Sequence, residues 1–191
     1  MKVSKTNNNK LGLEEKELIK ACKRKKQAAQ KQLYERYYDM MFRTCFRYLG
    51  NSHNAEDIVV EGFLKIFEKI KTFEYRNPNS LKNWMQTIMV NQSLMYLRRN
   101  KKILFSDNEH IFEQNYTIDE TLEIKDIHRA IAQMPTGYRT VFNMYVVEGF
   151  AHKEIAESLN ISEQTSKSQL SRAKKFLQKM IKDLNYERRA I

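Results

Sequence analysis

Residues 149–178 read GFAHKEIAESLNISEQTSKSQLSRAKKFLQ, and this stretch decides the fold of the C-terminal half. Apolar residues stand at helical spacing in 152–159. Asn160 follows, and asparagine tolerates a left-handed turn conformation better than most residues. Ser162 is placed to cap a second helix, because its hydroxyl can accept a backbone N–H of the next turn. The pattern predicts helices at 152–159 and 163–182 joined by a tight turn, as in a helix-turn-helix.

The outward face of the second helix is polar and basic. Between 163 and 182 six lysines and arginines stand against one acid, Glu163. Gln, Lys and Arg reach base edges in the major groove, and hydroxyls reach phosphates, so this face is a candidate for DNA binding. The alternative is a helical hairpin with a solvated polar face. The candidate DNA-binding residues are Gln164, Thr165, Lys167, Ser168, Gln169, Ser171 and Arg172.

The rest of the chain is also helical in pattern and strongly basic. Its 191 residues carry a formal charge of +11 and contain two prolines and five glycines, too few turn-formers for a sandwich or barrel of many strands. The charge favours a polyanionic partner, either nucleic acid or an anionic membrane surface. Apolar periodicity predicts further helices at about 14–24, 27–49, 54–70, 81–100, 121–133 and 138–148.

The charge pattern divides the chain. Residues 103–127 hold seven acids and one base, and 103–120 show no sustained period. We therefore predict an all-α protein of two small helical domains joined by an acidic linker, the second containing the helix-turn-helix. The predicted parts are a flexible tail (1–13), a first domain (14–102), the linker (103–120) and a second domain (121–186).

The helix predicted from Asn54, with Asn54 itself as a candidate N-cap, has two faces. One is an apolar stripe for the core. The other combines acids with two apolar residues, which is typical of a protein-docking surface; ordinary solvated surface is the alternative. The candidate docking residues are Asp57, Val60, Glu61 and Leu64.

Residues 73–102 mix aromatic side chains with a basic end, a combination suited to unpaired nucleic acid, since every base has a face for stacking. Phe73 and Trp84 are better explained as core, and Asn91 would either contact a base or be a satisfied buried polar group. The candidates for contact with unpaired DNA are Tyr75, Arg76, Asn91, Arg98 and Arg99.

Several function classes are not indicated. Cys22 and Cys45 form no metal-binding or disulfide motif. We therefore predict that both are buried free thiols, as suits a protein of the reducing cytoplasm. We expect no metal, cofactor or catalytic residue, since the four histidines are scattered and neither a phosphate-binding loop nor a nucleophile elbow is present. No apolar run is long enough to predict membrane insertion.

The motifs together resemble a known family. AEDIVVEGFLKIF (55–67) and NWMQTIMVNQSLMYLRR (83–99), with LYERYY (33–38) before them, are similar to the first domain of bacterial sigma factors of the extracytoplasmic-function group. Residues 130–178, from AIAQMPTGYRTVF onward, resemble their second domain. The resemblance covers about 15–185.

This resemblance implies a function. Such a protein binds core RNA polymerase, recognises promoter DNA and promotes strand opening, while phosphodiester chemistry belongs to the polymerase. It implies that the helix containing 55–67 docks on the β′ clamp helices, that 73–102 capture a flipped base of the minus-ten element, and that 163–172 read the minus-thirty-five element. An anti-sigma factor is a further partner that the family often has.

The sequence departs from the family pattern at some positions. Ser166 stands where valine is common, and Gln169 where arginine is common, so no promoter sequence can be carried over. Two other classes remain as alternatives: a helix-turn-helix regulator that acts without polymerase, and a small nucleic-acid-modifying enzyme.

Overall fold

The structure, a computed structural model, describes residues 14–100 and 130–189, which form helices and connecting turns with no strand in these two ranges. A 3₁₀ turn spans Ile70–Thr72, and a π-helical segment spans Asn143–Val147. The all-α prediction is confirmed. The α-helices are α1 (14–23), α2 (Gln27–Leu49), α3 (Ser52–Lys69), α4 (Ser80–Arg99), α5 (Thr136–Phe142), α6 (His152–Leu159) and α7 (Glu163–Arg189).

The helix bounds agree with the periodicity where capping signals are strong, and differ elsewhere. The bounds of α2 and α6 are the predicted ones. The helix predicted at 138–148 is wrong in detail: α5 begins at Thr136, and the chain widens into the π segment, where Glu148 N–H bonds Asn143 O at 3.0 Å. α7 also continues past the predicted end at 182, because no proline or glycine interrupts 183–189.

The N-cap predicted for the third helix is also wrong. α3 begins at Ser52, and the side-chain oxygen of Asn51 accepts the backbone N–H of Asn54 at 2.9 Å. Asn51 follows Gly50, which ends α2 with φ +68°. The chain therefore leaves one helix and enters the next within two residues, and Asn51 rather than Asn54 satisfies the free N–H groups.

Part of the predicted organisation lies outside the described residues. This applies to the tail (1–13), the acidic linker (103–120) and most of the helix predicted at 121–133, of which 130–132 are helical.

The described residues form two compact units, the first comprising 14–45 together with Glu56–Gln92. Its core uses the apolar stripe predicted for α3, including the fully buried Val59 and Ile66. Gly62 allows α4 to approach, since a Cβ there would lie 2.2 Å from the Met89 sulfur. Both predicted buried thiols are confirmed, Cys22 in this unit and Cys45 at its boundary.

The second unit comprises Phe46–Ala55 and the described residues from Ser93 onward. Its centre holds a charged side chain, Arg139, which is only 3% exposed. The guanidinium donates to the last carbonyls of α2, from Nε to Tyr48 O at 3.3 Å and from Nη2 to Leu49 O at 3.0 Å. It also donates from Nη1 to Ala132 O at 2.7 Å and to Met134 O at 3.1 Å.

Carbonyl dipoles rather than a carboxylate therefore hold this cation. The final carbonyls of a helix lack intrahelical partners and carry a partial negative charge, so they suit a guanidinium. Burial lowers the pKa of Arg139 to about 10. The side chain remains charged at neutral pH, and its planar fork ties the end of α2 to the segment before α5.

Gly50 lies against Arg139, so substitution of Gly50 is expected to destabilise the protein more than substitution of Gly149. Both glycines have positive φ, +68° and +79°, but a Cβ at Gly50 would lie 2.6 Å from Arg139 Nη1, whereas one at Gly149 meets nothing within 4 Å. We expect Gly149→Ala to lower the free energy of unfolding by about 1–2 kcal/mol through backbone strain. Gly50→Ala also disturbs a buried charge and is expected to cost about 3–5 kcal/mol, measured by urea denaturation. Equal losses for the two variants would contradict this role of Arg139.

Candidate nucleic-acid interface

The turn between α6 and α7 has the geometry that the sequence predicts for a helix-turn-helix. Asn160 adopts the left-handed conformation (φ 54°, ψ 52°), and Ile161 N–H bonds Ala156 O at 3.1 Å. The Ser162 hydroxyl accepts the Thr165 N–H at 2.9 Å, which confirms it as the cap of α7. At the other end of α6 the Glu154 carboxylate accepts the Ala151 N–H at 2.7 Å. Side-chain caps therefore fix the N-terminus of each helix of the motif.

The predicted DNA-binding residues divide into two groups. Four are exposed: Gln164, Lys167, Ser171 and Arg172. The other three, Thr165, Ser168 and Gln169, are half-buried.

The half-buried residues are partly engaged within the unit. The Ser168 hydroxyl donates to Thr165 O at 2.9 Å, and the Thr165 hydroxyl lies 2.8 Å from that of Ser162. Gln169 Oε1 is buried and has no hydrogen-bond partner among the described residues. The four exposed side chains are therefore the ones best placed to meet a ligand.

One exposed base on this face is paired with the only acid of the helix's first turn. Lys167 Nζ lies 2.7 Å from Glu163 Oε1. The hydrogen bond from Lys167 and its charge lower the pKa of Glu163. Glu163 therefore complements the N-terminus of α7 and at the same time offsets part of the positive charge of the face.

A polar contact that the sequence analysis missed joins the two helices of the motif. His152 Nδ1 lies 2.9 Å from the hydroxyl of Ser166, which is fully buried. The Tyr145 ring stacks on the imidazole with 4.5 Å between centroids. Because Ser166 stands between Thr165 and Lys167, this contact fixes the first turns of α7 relative to α6. The serine at a position where valine is common was the available signal.

The residues predicted to meet unpaired DNA lie on the loop 73–79 and on α4. Arg76 is exposed on the loop 73–79, while Asn91 is exposed on α4, so the alternative of a buried Asn91 is wrong. Arg98 and Arg99 are exposed at the end of α4. Tyr75 is half-buried, with its hydroxyl buried and the Lys16 ammonium 5.1 Å from its ring centroid.

The two expected core aromatics lie beside this loop. Phe73 is buried, and its ring lies 4.8 Å from that of Trp84, which is half-buried. The pair anchors the start of the loop to α4.

The docking face predicted on α3 is exposed in all four positions. Asp57 and Glu61 are exposed. Val60 is 51% and Leu64 59% exposed, two of the few large apolar side chains on the described surface. Packing within the unit therefore does not explain why these two residues are apolar.

A second group of exposed apolar side chains, not predicted, lies at Tyr145, Val146 and Val147 in the π segment. Within 14–100 and 130–182 no three His, Cys, Asp or Glu side chains are grouped as metal ligands. None of the described helices is long and apolar enough to span a membrane.

Comparison with known proteins identifies the family. Residues 33–103 match Sigma-70 region 2, and residues 124–177 match Sigma-70 region 4. RNA polymerase sigma factor SigV of Bacillus subtilis (strain 168) is 32% identical over 136 residues, covering 71% of this chain and 81% of that protein. ECF RNA polymerase sigma factor SigW of the same strain is 29% identical over 184 residues, covering 88% of this chain and 97% of that protein.

A solved structure, sigma factor RpoE in complex with the anti-sigma factor NepR from Bartonella quintana, aligns with a TM-score of 0.49. Its identity is 24%, covering 80% of this chain and 96% of that chain. The matches to region 2 and region 4 stand in this order along the chain, and SigV and SigW align with most of the sequence. The chain belongs to the extracytoplasmic-function group of RNA polymerase sigma factors.

Proposed function

We propose that this sigma factor divides its work among three surfaces: α3 binds core RNA polymerase, α7 reads duplex promoter DNA, and the loop 73–79 with α4 holds the melted strand. The observation that carries the proposal is the recognition face of α7. Exposed amide, hydroxyl and basic side chains stand on the second helix of a capped helix-turn-helix, within the segment that matches region 4.

The polymerase-binding surface is the exposed face of α3. Val60 and Leu64 offer apolar contact area, and Asp57 and Glu61 flank them with negative charge. Two exposed apolar residues on a rigid helix supply anchors for a partner, and the acids orient it. The β′ clamp helices are the partner that the family resemblance implies.

Duplex recognition falls to α7. Arg172 and Gln164 can bond base edges in the major groove, Arg preferring guanine and Gln adenine. Lys167 and Ser171 suit phosphates. With Gln169 half-buried where the family commonly has arginine, one basic contact is missing, so sequence preference is expected to shift.

Strand capture falls to the loop and to α4. Arg76 on the loop and Asn91, Arg98 and Arg99 on α4 are exposed polar or basic groups within the region 2 match. They can bind the phosphates and edges of a displaced strand, while Tyr75 contributes an aromatic edge to the loop.

The remaining assignments follow from this role. We assign the two domains to 14–102 and 121–186, with 1–13 as a tail and 103–120 as a linker. The chain requires no cofactor and performs no catalysis, because the polymerase makes the phosphodiester bond. We place the protein in the cytoplasm, where polymerase and chromosome lie, and include an anti-sigma factor among its partners.

A helix-turn-helix regulator that works without polymerase, the alternative from sequence, leaves the region 2 match at 33–103 unexplained. Footprinting separates the two. The sigma factor with core polymerase is expected to protect two promoter elements and to protect little alone. Strong protection of a palindrome by the chain alone would support the regulator.

The first test concerns α3. Glu61→Lys places a reversed charge between Val60 and Leu64 and is expected to weaken association with core polymerase by at least about tenfold in a pull-down titration. Glu35→Lys is the matched control, because Glu35 is an exposed acid of the same unit but lies on α2, outside this face. Equal binding by both variants and the wild type would remove this face from the interface.

The second test concerns the charges on α7. Arg172→Ala is expected to lower affinity for promoter duplex and to reduce the slope of log affinity against log salt by about 1. The affinity is measured with the core holoenzyme by fluorescence anisotropy. An unchanged affinity and slope would remove Arg172 from the DNA contact.

The third test concerns the Glu163–Lys167 pair. Glu163→Gln releases Lys167 and removes a negative charge from the face, so duplex affinity is expected to rise by about two- to fivefold at low salt. Glu157→Gln on α6 changes the net charge equally and is the control. A gain that is the same in both variants would show a general charge effect instead.

A further inference from the structure

The helix α1, which precedes the region 2 match, contacts the loop proposed to hold the melted strand. Lys23 Nζ donates to the backbone carbonyl of Phe73 at 2.7 Å. Lys16 Nζ lies 5.1 Å from the ring centroid of Tyr75, a cation–π geometry. Two lysines, two turns apart on α1, thus reach two neighbouring positions of the loop.

The same helix carries a buried carboxylate. Glu15 is only 5% exposed, and one of its oxygens accepts the hydroxyl of Tyr37 on α2. Its other oxygen, Oε2, has no hydrogen-bond partner among the described residues. The Tyr75 hydroxyl of the loop is also buried without a described partner, and burial and then the Glu15 charge raise the pKa of Tyr75.

A carboxylate in this position is costly for stability alone. Burying a charge that retains an unbonded oxygen disfavours folding, and an apolar residue would pack there more cheaply. Costly polar groups of this kind are characteristic of places where function rather than stability sets the residue. Glu15 directly precedes Lys16 on α1, and its charge acts on Tyr75, a residue of the loop that Lys16 and Lys23 contact.

The other side of the loop is fixed by α4. The Ser80 hydroxyl oxygen accepts the N–H of Arg76 at 3.2 Å and of Asn77 at 3.3 Å, and Phe73 packs on Trp84. With both sides held, the exposed surface of the loop is its tip, residues 76–79 together with Glu74.

We propose that Glu15, Lys16 and Lys23 are positioning residues for strand opening, which hold the loop 73–79 in the conformation that receives the melted strand. The inference rests on the assignment of this loop under the proposed function. A loop that is ordered before DNA arrives loses less conformational entropy on binding, so capture is tighter. In this proposal α1 contributes to strand opening by holding the loop in place.

The lysine contact is tested by Lys23→Met, with Lys20→Met as control. Lys20 is also on α1 but is exposed and pairs with Glu17, with 2.7 Å between Nζ and Oε1. Trp84 is the single tryptophan of the chain and packs on Phe73, so acrylamide quenching of its fluorescence reports the loop without DNA. Strand opening is measured by permanganate reactivity of promoter DNA with the holoenzyme.

We expect Lys23→Met to increase Trp84 quenching and to lower strand opening by about five- to tenfold, with duplex affinity unchanged, because a charged hydrogen bond to the loop is lost. Lys20→Met should change neither. Unchanged quenching and opening in Lys23→Met would overturn the inference. If Lys23→Met increases quenching but leaves strand opening normal, the loop is not what limits opening and the inference is overturned. Normal opening in Arg76→Ala as well would overturn the proposed role of the loop itself.

The carboxylate is tested by a double-mutant cycle. Glu15→Gln keeps the size of the side chain and removes its charge, and Tyr75→Phe removes the buried hydroxyl of the loop. If Glu15 acts through Tyr75, the double variant opens promoters no worse than Tyr75→Phe alone. Multiplied losses in the double variant, or normal opening in Glu15→Gln, would remove Glu15 from the positioning set.

Discussion

The second unit depends on one buried cation. Arg139 donates to carbonyls at the end of α2 and to carbonyls just before α5. These backbone acceptors would otherwise lack a hydrogen-bond partner. The dipole at the end of α2 favours the charge, which explains how a guanidinium is held there by carbonyls. The guanidinium also requires glycine at position 50, because a Cβ there would occupy the space that the guanidinium fills.

Intramolecular polar contacts also fix the backbone beneath the surfaces that are proposed to bind DNA. The face of α7 proposed to read DNA is held by the Ser162 cap and by the His152–Ser166 contact, both short polar interactions within the helix-turn-helix. The loop 73–79, proposed to hold the melted strand, is fixed by α1 on one side and by Ser80 on the other. In each case buried or half-buried polar groups fix the backbone, while the side chains proposed to meet the ligand remain exposed. Preorganised groups of this type suit a protein that must position DNA strands.

Sequence predicted the helices well where local signals were sufficient. α2 and α6 have the expected bounds, and Asn160 and Ser162 play the expected roles, because periodicity and capping depend only on neighbours within one or two turns. The exposure of Val60 and Leu64 on α3 was predicted for the same reason, since both residues lie outside the apolar stripe. What could not be predicted depends on distant partners. Arg139 meets α2 carbonyls some ninety positions earlier, and Glu15 meets Tyr37 on another helix.

The measurement that tests the central claim most directly is run-off transcription by purified core polymerase on genomic DNA, with and without this protein. We expect discrete transcripts from a small set of start sites only when the protein is present, with a shared pair of upstream elements. Transcription that is unchanged by the protein, or increased without defined start sites, would contradict the account.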